Sequence, residues 1–201
     1  MKVLSKMNRG VIFTVVVLLG VVAYLIGLEV TRSSARGEIQ QICESYIAAE
    51  LKYHMLPETY RAEKPEVSQE ELDSYLTAMR KELKEFYVDN EQTYRYKLEE
   101  LENDLIAQSQ GEGVVYQFEK ELVEYEIEFN GNTASVTLTC MTTYDGPVNS
   151  YKEGMGRSSR QTLTGETADR FTFQQIDGEW KLTYAALYEP AAVEAYTSYI
   201  Y

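Results

Sequence analysis

The stretch FTFQQIDGEWKLTYAALYEP, residues 171–190, alternates apolar and polar side chains on both sides of an Asp-Gly pair. Alternation with a period of two is typical of half-buried strands, and Asp-Gly is a typical two-residue hairpin turn. The stretch therefore predicts an antiparallel hairpin with one aromatic face. The facing pairs predicted from this turn are Phe173 with Leu182, Phe171 with Tyr184, and Gln175 with Trp180.

A second hairpin is predicted upstream, where residues 123–129 and 134–140 alternate in the same way around the turn sequence NGN. Val123, Tyr125, Ile127 and Phe129 share one face, while glutamates on the other face stand opposite serine and threonine. Such a polar face favours contact with solvent over metal binding. The two hairpins together predict a four-stranded sheet whose apolar faces need cover.

Three amphipathic helices precede the strands and are the available cover. Apolar residues recur every three or four positions over residues 37–56. Ser68 and Glu71 form a capping box at the start of a second helix. A third apolar stripe over residues 94–105 belongs either to a separate helix capped near residues 89–90 or to an extension of the second. Helices packed on one face of an antiparallel sheet define an α+β fold.

Residues 11–28 contain no charged side chain, and as a helix they span roughly 27 Å, close to the hydrocarbon thickness of a bilayer. We therefore predict a single transmembrane helix. A buried core helix of this length would show a polar stripe, which is missing here. A cleaved signal peptide remains open, because basic residues precede the stretch and SSA at residues 33–35 resembles a cleavage site.

Lys2, Lys6 and Arg9 precede the span and favour a cytoplasmic N-terminus, which places the rest of the chain outside the cytoplasm as a single-pass cell-membrane protein. Residues 1–36 carry five Lys or Arg and one acid, so the remainder has a net charge of −17. Such a surface repels nucleic acid, which is excluded as a partner. The predicted organisation is a cytoplasmic segment (1–10), a span (11–28), a juxtamembrane linker (29–36), a folded domain (37–190) and a Tyr-rich tail (191–201).

Helices followed by long antiparallel strands that end in an acidic-Gly-x-Trp-Lys-hydrophobic turn, here DGEWKL at residues 177–182, resemble the nuclear transport factor 2-like superfamily, also called the cystatin-like cone or SnoaL-like fold. The resemblance covers about residues 37–190. It implies a curved sheet wrapped around the first helix, with an apolar pocket that some members use for catalysis and many for binding alone. Membrane-anchored members outside the cytoplasm, including subunits of bacterial conjugation machines and domains of penicillin-binding proteins, are the most similar.

Ketosteroid isomerase-like enzymes of this superfamily use a carboxylate inside the cone as a base and a tyrosine or second acid for the oxyanion. The inward face predicted here has Tyr125 and Tyr184 but no acid, so no catalytic residue, metal ligand or cofactor is predicted. His54 is either a base at the cone mouth or a surface residue stabilised by a helix C-terminus. The candidate pocket-lining residues are Tyr46, Tyr53, His54, Tyr125, Trp180 and Tyr184.

The only two cysteines, Cys43 and Cys140, are predicted to lie near the inward face, either as a disulfide or as two buried free thiols. The function predicted from the sequence is a noncatalytic, membrane-tethered binding or assembly domain of a bacterial envelope complex, conjugation or secretion among them. Its partner would be a protein or a small apolar ligand, with the oligomeric state left open. The alternative is a small cone-fold enzyme acting on an apolar substrate.

Overall fold

The computed structural model describes residues 9–150 and 157–190 of the 201-residue chain. Helices come first and a four-stranded antiparallel sheet follows, with the strands in the order β1-β2-β3-β4. The sheet is curved and open, so the predicted α+β fold is confirmed. The elements are α1 (Arg9–Tyr53), a 3₁₀ turn (Glu58–Tyr60), α2 (Gln69–Lys84), α3 (Glu91–Ser109), β1 (Gln117–Asn130), β2 (Thr133–Ser150), β3 (Arg157–Ile176) and β4 (Glu179–Ala186). The predicted Tyr-rich tail lies outside the described residues.

Helix α1 contains 45 residues and includes the apolar stretch, the predicted linker at 29–36 and the first amphipathic stripe. It is long and apolar enough to cross a membrane. The described side chains of its apolar stretch, such as Leu18, Leu19 and Val22, are exposed. Exposed apolar side chains exclude a core helix, and they are typical of a membrane span or a signal sequence. The chain divides into two compact units within this helix, Met1–Gln41 and Ile42–Tyr201.

The predicted capping box starts α2. The Ser68 side chain accepts a hydrogen bond from the Glu71 N–H, and the Glu71 carboxylate accepts one from the Ser68 N–H. The Asn90 side chain caps α3 by accepting from the Gln92 N–H. Of the two alternatives for the third apolar stripe, the structure therefore has the separate helix. Both helices begin where local side-chain caps satisfy their free N–H groups.

Both predicted hairpins form, with their turns at Gly131 and at the pair 177–178. Asp177 and Gly178 both have positive φ, as a type I′ turn requires. On the outer face of the first hairpin the glutamates stand opposite hydroxyl side chains, as expected. These pairs are Glu124 with Thr139, Glu126 with Thr137, and Glu128 with Ser135.

Two positions depart from the predicted pattern, each at a shift in strand register. A shift between Thr172 and Phe173 pairs Tyr184 with Thr172, so the predicted Phe171–Tyr184 pair does not form and Tyr184 is 49% exposed. A second shift in β1 leaves Val123 57% exposed, where an inward position was predicted. Both corrections have one physical cause, because an extra residue in one strand reverses the facing of the side chains beyond it.

Aromatic and aliphatic side chains fill the inner face near the two turns. Trp180 is buried with its ring 5.9 Å from that of Phe129, so it belongs to the apolar core. Its indole N–H has no hydrogen-bond partner among the described residues. Phe86 and Val88 exchange backbone hydrogen bonds with Leu182 and thereby cover the outer edge of β4. At Leu182 this edge is therefore not free to pair with another strand.

Candidate functional site

The inner face is apolar near the turns and polar farther from them. Strands β2 and β3 are 18 and 20 residues long and extend well past the predicted strands. The alternation that buries Phe171 and Phe173 continues backwards through Asp169 and Thr167, which are also buried. Thr142 of β2 is fully buried on the same face. The longer hairpin therefore turns polar side chains into the interior.

Lys120 of β1 joins these residues, and together they form the interior ion-pair cluster: Lys120, Thr142, Thr167 and Asp169. The Lys120 side chain is 1% exposed and that of Asp169 is 0% exposed. Lys120 Nζ lies 2.9 Å from Asp169 Oδ1, 3.2 Å from Thr142 Oγ1, 3.1 Å from Thr167 Oγ1 and 2.7 Å from the carbonyl oxygen of Tyr188. An ammonium has three protons, so four acceptors at these distances leave it no donor to spare.

Asp169 accepts two hydrogen bonds on one oxygen and none on the other. Oδ1 accepts from Lys120 and from the Tyr188 N–H at 2.8 Å, whereas Oδ2 is buried without a partner among the described residues. Burial raises the pKa of Asp169, and the Tyr188 N–H and the Lys120 ammonium offset this only in part. Chemically, Oδ2 is an acceptor for a proton or a hydrogen-bond donor inside the domain.

A second buried group joins α1 to α3. The Glu50 side chain is fully buried, and its Oε1 lies 2.8 Å from Lys97 Nζ and 3.1 Å from His54 Nε2. Burial acts to raise the pKa of Glu50, but His54 and Lys97 outweigh it and hold the pKa below its ordinary value. Glu50 Oε2 has no partner among the described residues. The two buried carboxylates therefore differ in the direction of their pKa shifts.

Phe118 lies between the two groups. Its ring centroid is 5.1 Å from that of His54 and 5.3 Å from Lys120 Nζ. The loop before β1 is held nearby, because the Gln108 side chain donates to the His54 carbonyl and accepts from the Val115 N–H. One aromatic side chain thus contacts both charged groups, and local packing positions His54 and Lys120 on either side of it.

The six candidate pocket-lining residues are not gathered around one cavity. Tyr46 is buried and bonds Tyr87 through the two hydroxyls, while the Tyr53 hydroxyl donates to Glu82. Trp180 belongs to the apolar core, Tyr125 is half-buried and Tyr184 is exposed. The described residues line grooves of about 600 and 1140 Å³ beside α2, and none of the six contributes to either.

His54 is not the surface residue that was one of the two predictions for it. Its side chain is 15% exposed, bonded to Glu50 and packed edge-on against Phe118. It is therefore a largely buried member of the second charged group. Cys43 and Cys140 are both buried free thiols, so of the two alternatives the structure has the unbonded one.

The sequence pattern missed Lys120 and Asp169, although one signal for Asp169 was present. Counting back by two from Phe173 and Phe171 reaches Asp169 and Thr167 on the same face. An acid therefore does lie on the inward face, contrary to the prediction. Lys120 had no comparable signal, because it follows Glu119 in a strongly charged segment and its burial depends on its partners.

The comparisons with known proteins add no assignment: no protein-family model, no curated protein and no solved structure matches this chain. Within residues 9–150 and 157–190, no group of three or more His, Cys, Asp or Glu side chains is arranged to hold a metal ion. The candidate site is thus defined by its own geometry, as two buried charged groups that share Phe118.

Proposed function

We propose that this protein is a single-pass, membrane-tethered binding or assembly domain that works outside the cytoplasm. The observation that carries the proposal is α1, which is long and apolar enough to cross a membrane, whose described apolar side chains such as Leu18 and Leu19 are exposed, and which also contributes Tyr46 and Tyr53 to the folded domain. The basic residues before the stretch support a cytoplasmic N-terminus.

The binding role is supported by the state of the interior charges. Lys120 has four acceptors and is closed off from solvent, and His54 is held by Glu50. Side chains bonded in this way make an interior more rigid, and neither Lys120 nor His54 is free to act on a substrate. We therefore favour a binding or assembly function like that of the noncatalytic, membrane-anchored members of the nuclear transport factor 2-like superfamily, in conjugation or secretion complexes.

The contact surface we propose contains the exposed tyrosines Tyr184 and Tyr188, which are 49% and 43% exposed. Tyrosine is enriched at protein interfaces, where it combines apolar area with a hydrogen-bonding group. A photo-reactive amino acid at Tyr184 in cells should give a discrete crosslinked adduct. Tyr96 of α3 is the matched control, because it is a tyrosine that is 78% exposed. Equal adducts at both positions would contradict the assignment of the surface.

The orientation is tested with a single introduced cysteine. Glu63 is exposed, whereas both native thiols are buried, so Glu63→Cys gives a low-background label. A membrane-impermeant maleimide should modify Glu63→Cys on intact cells and should spare a Ser5→Cys control until lysis. Modification of Ser5→Cys alone on intact cells would reverse the topology and remove the extracytoplasmic assignment.

A second candidate, an enzyme of the ketosteroid isomerase-like type, is favoured by one observation. Asp169 is a buried acid on the inward face with a raised pKa and a free acceptor oxygen, which is the kind of group that a proton abstraction needs. Phenols mimic the enolate of such reactions, and a bound phenol would change the emission of Trp180, the only tryptophan. Saturable quenching that is lost in Asp169→Asn would favour this candidate over the first.

A further inference from the structure

The chain after β4 returns across the inner face of the sheet. Residues 187–190, which we name the strap, follow Ala186 and reach the interior ion-pair cluster. Pro190, at the end of the strap, is buried. It packs close to Gly165 of β3, where an added Cβ would lie 3.6 Å from the Cβ of Pro190. The strap is therefore anchored at two points, one at Tyr188 and one at Pro190.

The anchor at Tyr188 uses only the main chain. The Tyr188 N–H donates to Asp169 Oδ1 at 2.8 Å, and its carbonyl oxygen accepts from Lys120 Nζ at 2.7 Å. One acidic and one basic side chain thus bind the donor and the acceptor of a single residue, as a neighbouring strand would. The Tyr188 side chain points away from this contact far enough to be 43% exposed.

A receptor that binds main-chain groups is tolerant of the side chains it is given. The hydrogen bonds are charge-assisted, which makes each stronger than a bond between neutral groups. Asp169 Oδ2 remains without a donor behind the strap. These features describe a binding site for a peptide segment, and the segment in it belongs to the chain itself.

We propose that Lys120 and Asp169 form a main-chain receptor for a peptide segment, which the strap fills in cis and a partner protein's segment fills when the strap is released. The proposal deepens the proposed binding function, since it names the partner as a peptide segment recognised through one residue's N–H and C=O. The main chain bound by Lys120 and Asp169 is that of exposed Tyr188, and exposed Tyr184 precedes it by four residues, so an arriving partner would meet both side chains.

Cys140 provides a native probe of the strap. It is 1% exposed on the inner face, and its strand partner is Thr167, a member of the interior ion-pair cluster that the strap binds. In a Cys43→Ala background, the rate at which a small thiol reagent modifies Cys140 therefore reports release of the strap. Trp180, near the β3–β4 turn, reports the integrity of the apolar core in the same sample.

The variant that tests the anchor is Tyr188→Pro in the detergent-solubilised full chain, because proline has no N–H to donate to Asp169. Leu187→Pro is the matched control, since the Leu187 N–H makes no hydrogen bond among the described residues. We expect Cys140 to react at least about tenfold faster in Tyr188→Pro, with Trp180 emission and the control rate unchanged. Equal rates in the two variants would overturn the anchor.

The receptor is tested by adding the strap back in trans. The free peptide YAALYEP, with the sequence of residues 184–190, should slow Cys140 modification in Tyr188→Pro in a saturable way. The peptide YAALPEP, which lacks the same N–H, should not. If YAALYEP at millimolar concentration gives no more protection than YAALPEP, the receptor is overturned, while the crosslinking test at Tyr184 still decides the proposed binding function.

A measurement on the unaltered chain covers the case in which Tyr188→Pro does not fold. The Tyr188 amide should exchange its hydrogen at least about a hundredfold more slowly than the Leu187 amide, because only the former donates to a buried carboxylate. Equal exchange at the two amides would show that the strap is not held and would overturn the proposal.

Discussion

The two ends of the sheet's inner face are built from opposite chemistry. Near the turns, Phe173, Trp180 and Leu182 bury apolar surface that needs no partner of a particular kind. At the other end, Lys120 and Asp169 are equally buried but depend on each other and on Tyr188. The apolar end is stabilised by the hydrophobic effect, which is non-directional, whereas the charged end is stable only in one arrangement of donors and acceptors.

This difference determines how the stability of each end responds to amino-acid substitution. An apolar core loses stability in proportion to the volume removed and tolerates a similar side chain. A buried ion pair loses most when one partner is removed and little when both are replaced by apolar residues of similar size.

Trp180→Ala should lower the free energy of unfolding by about 3 to 5 kcal/mol, because it removes a large buried aromatic side chain. Trp180→Phe should fold with a modest loss, since the indole N–H has no partner to lose among the described residues. Denaturant midpoints followed by circular dichroism measure both. A loss under about 1 kcal/mol in Trp180→Ala would contradict the core assignment.

Lys120→Met should lower the free energy of unfolding by about 3 kcal/mol, because it leaves the Asp169 carboxylate buried without its cation. Adding Asp169→Leu to the same variant should restore most of the loss, which distinguishes a buried charge from a packing defect. The double variant and both single variants form a cycle measured by chemical denaturation. A double variant less stable than Lys120→Met would contradict this account of the charged end.

The two buried carboxylates should respond to pH in opposite directions. Folding raises the pKa of Asp169, so its contribution to stability is present below about pH 4 and is lost as pH rises through the folded pKa. Folding lowers the pKa of Glu50, so its contribution is present above about pH 4.3 and is lost as pH falls through the folded pKa. Each group contributes a slope of at most about 1.4 kcal/mol per pH unit within its window.

The measurement is the stability of the unaltered chain minus that of Asp169→Asn or Glu50→Gln, from pH 3.5 to 6.5. Each subtraction removes the titration of all groups that the two chains share. The difference should fall with rising pH for Asp169→Asn and should fall with decreasing pH for Glu50→Gln. Slopes of the same sign would show that one of the two shifts has the wrong direction.

Thr142→Val should have the smallest effect, a loss of about 1 kcal/mol, because the hydroxyl bonds Thr167 at 2.6 Å and Lys120 at 3.2 Å inside the cluster. Thr143→Val is the matched neighbour, with its hydroxyl on the opposite face at 3.4 Å from that of Thr164. Its change should stay within about 0.5 kcal/mol. Equal losses of stability in the two variants would mean that the buried hydrogen bonds of the Thr142 hydroxyl do not stabilise the charged end.

The sequence alone determined the elements with local signals. The capping box at Ser68, the turn at 177–178 and the alternation around Gly131 each act within a few residues, so they predicted α2 and both hairpins correctly. Continuous apolar composition in residues 11–28 likewise predicted a helix able to span a bilayer. These features depend on backbone preference and hydrophobic pattern, which neighbouring residues set.

The burial of individual side chains was decided by the tertiary structure alone in two places. These are the strand segments with a polar pattern and the positions where the strand register shifts. One extra residue in β4 turned Tyr184 outward, and the residues next to Tyr184 in the sequence do not predict that shift in register. Lys120 of β1 lies inside because Thr142 of β2 and Thr167 and Asp169 of β3, all distant in sequence, supply its acceptors. A charge is stable in an interior only when specific partners meet it there, and only the folded chain brings those partners together.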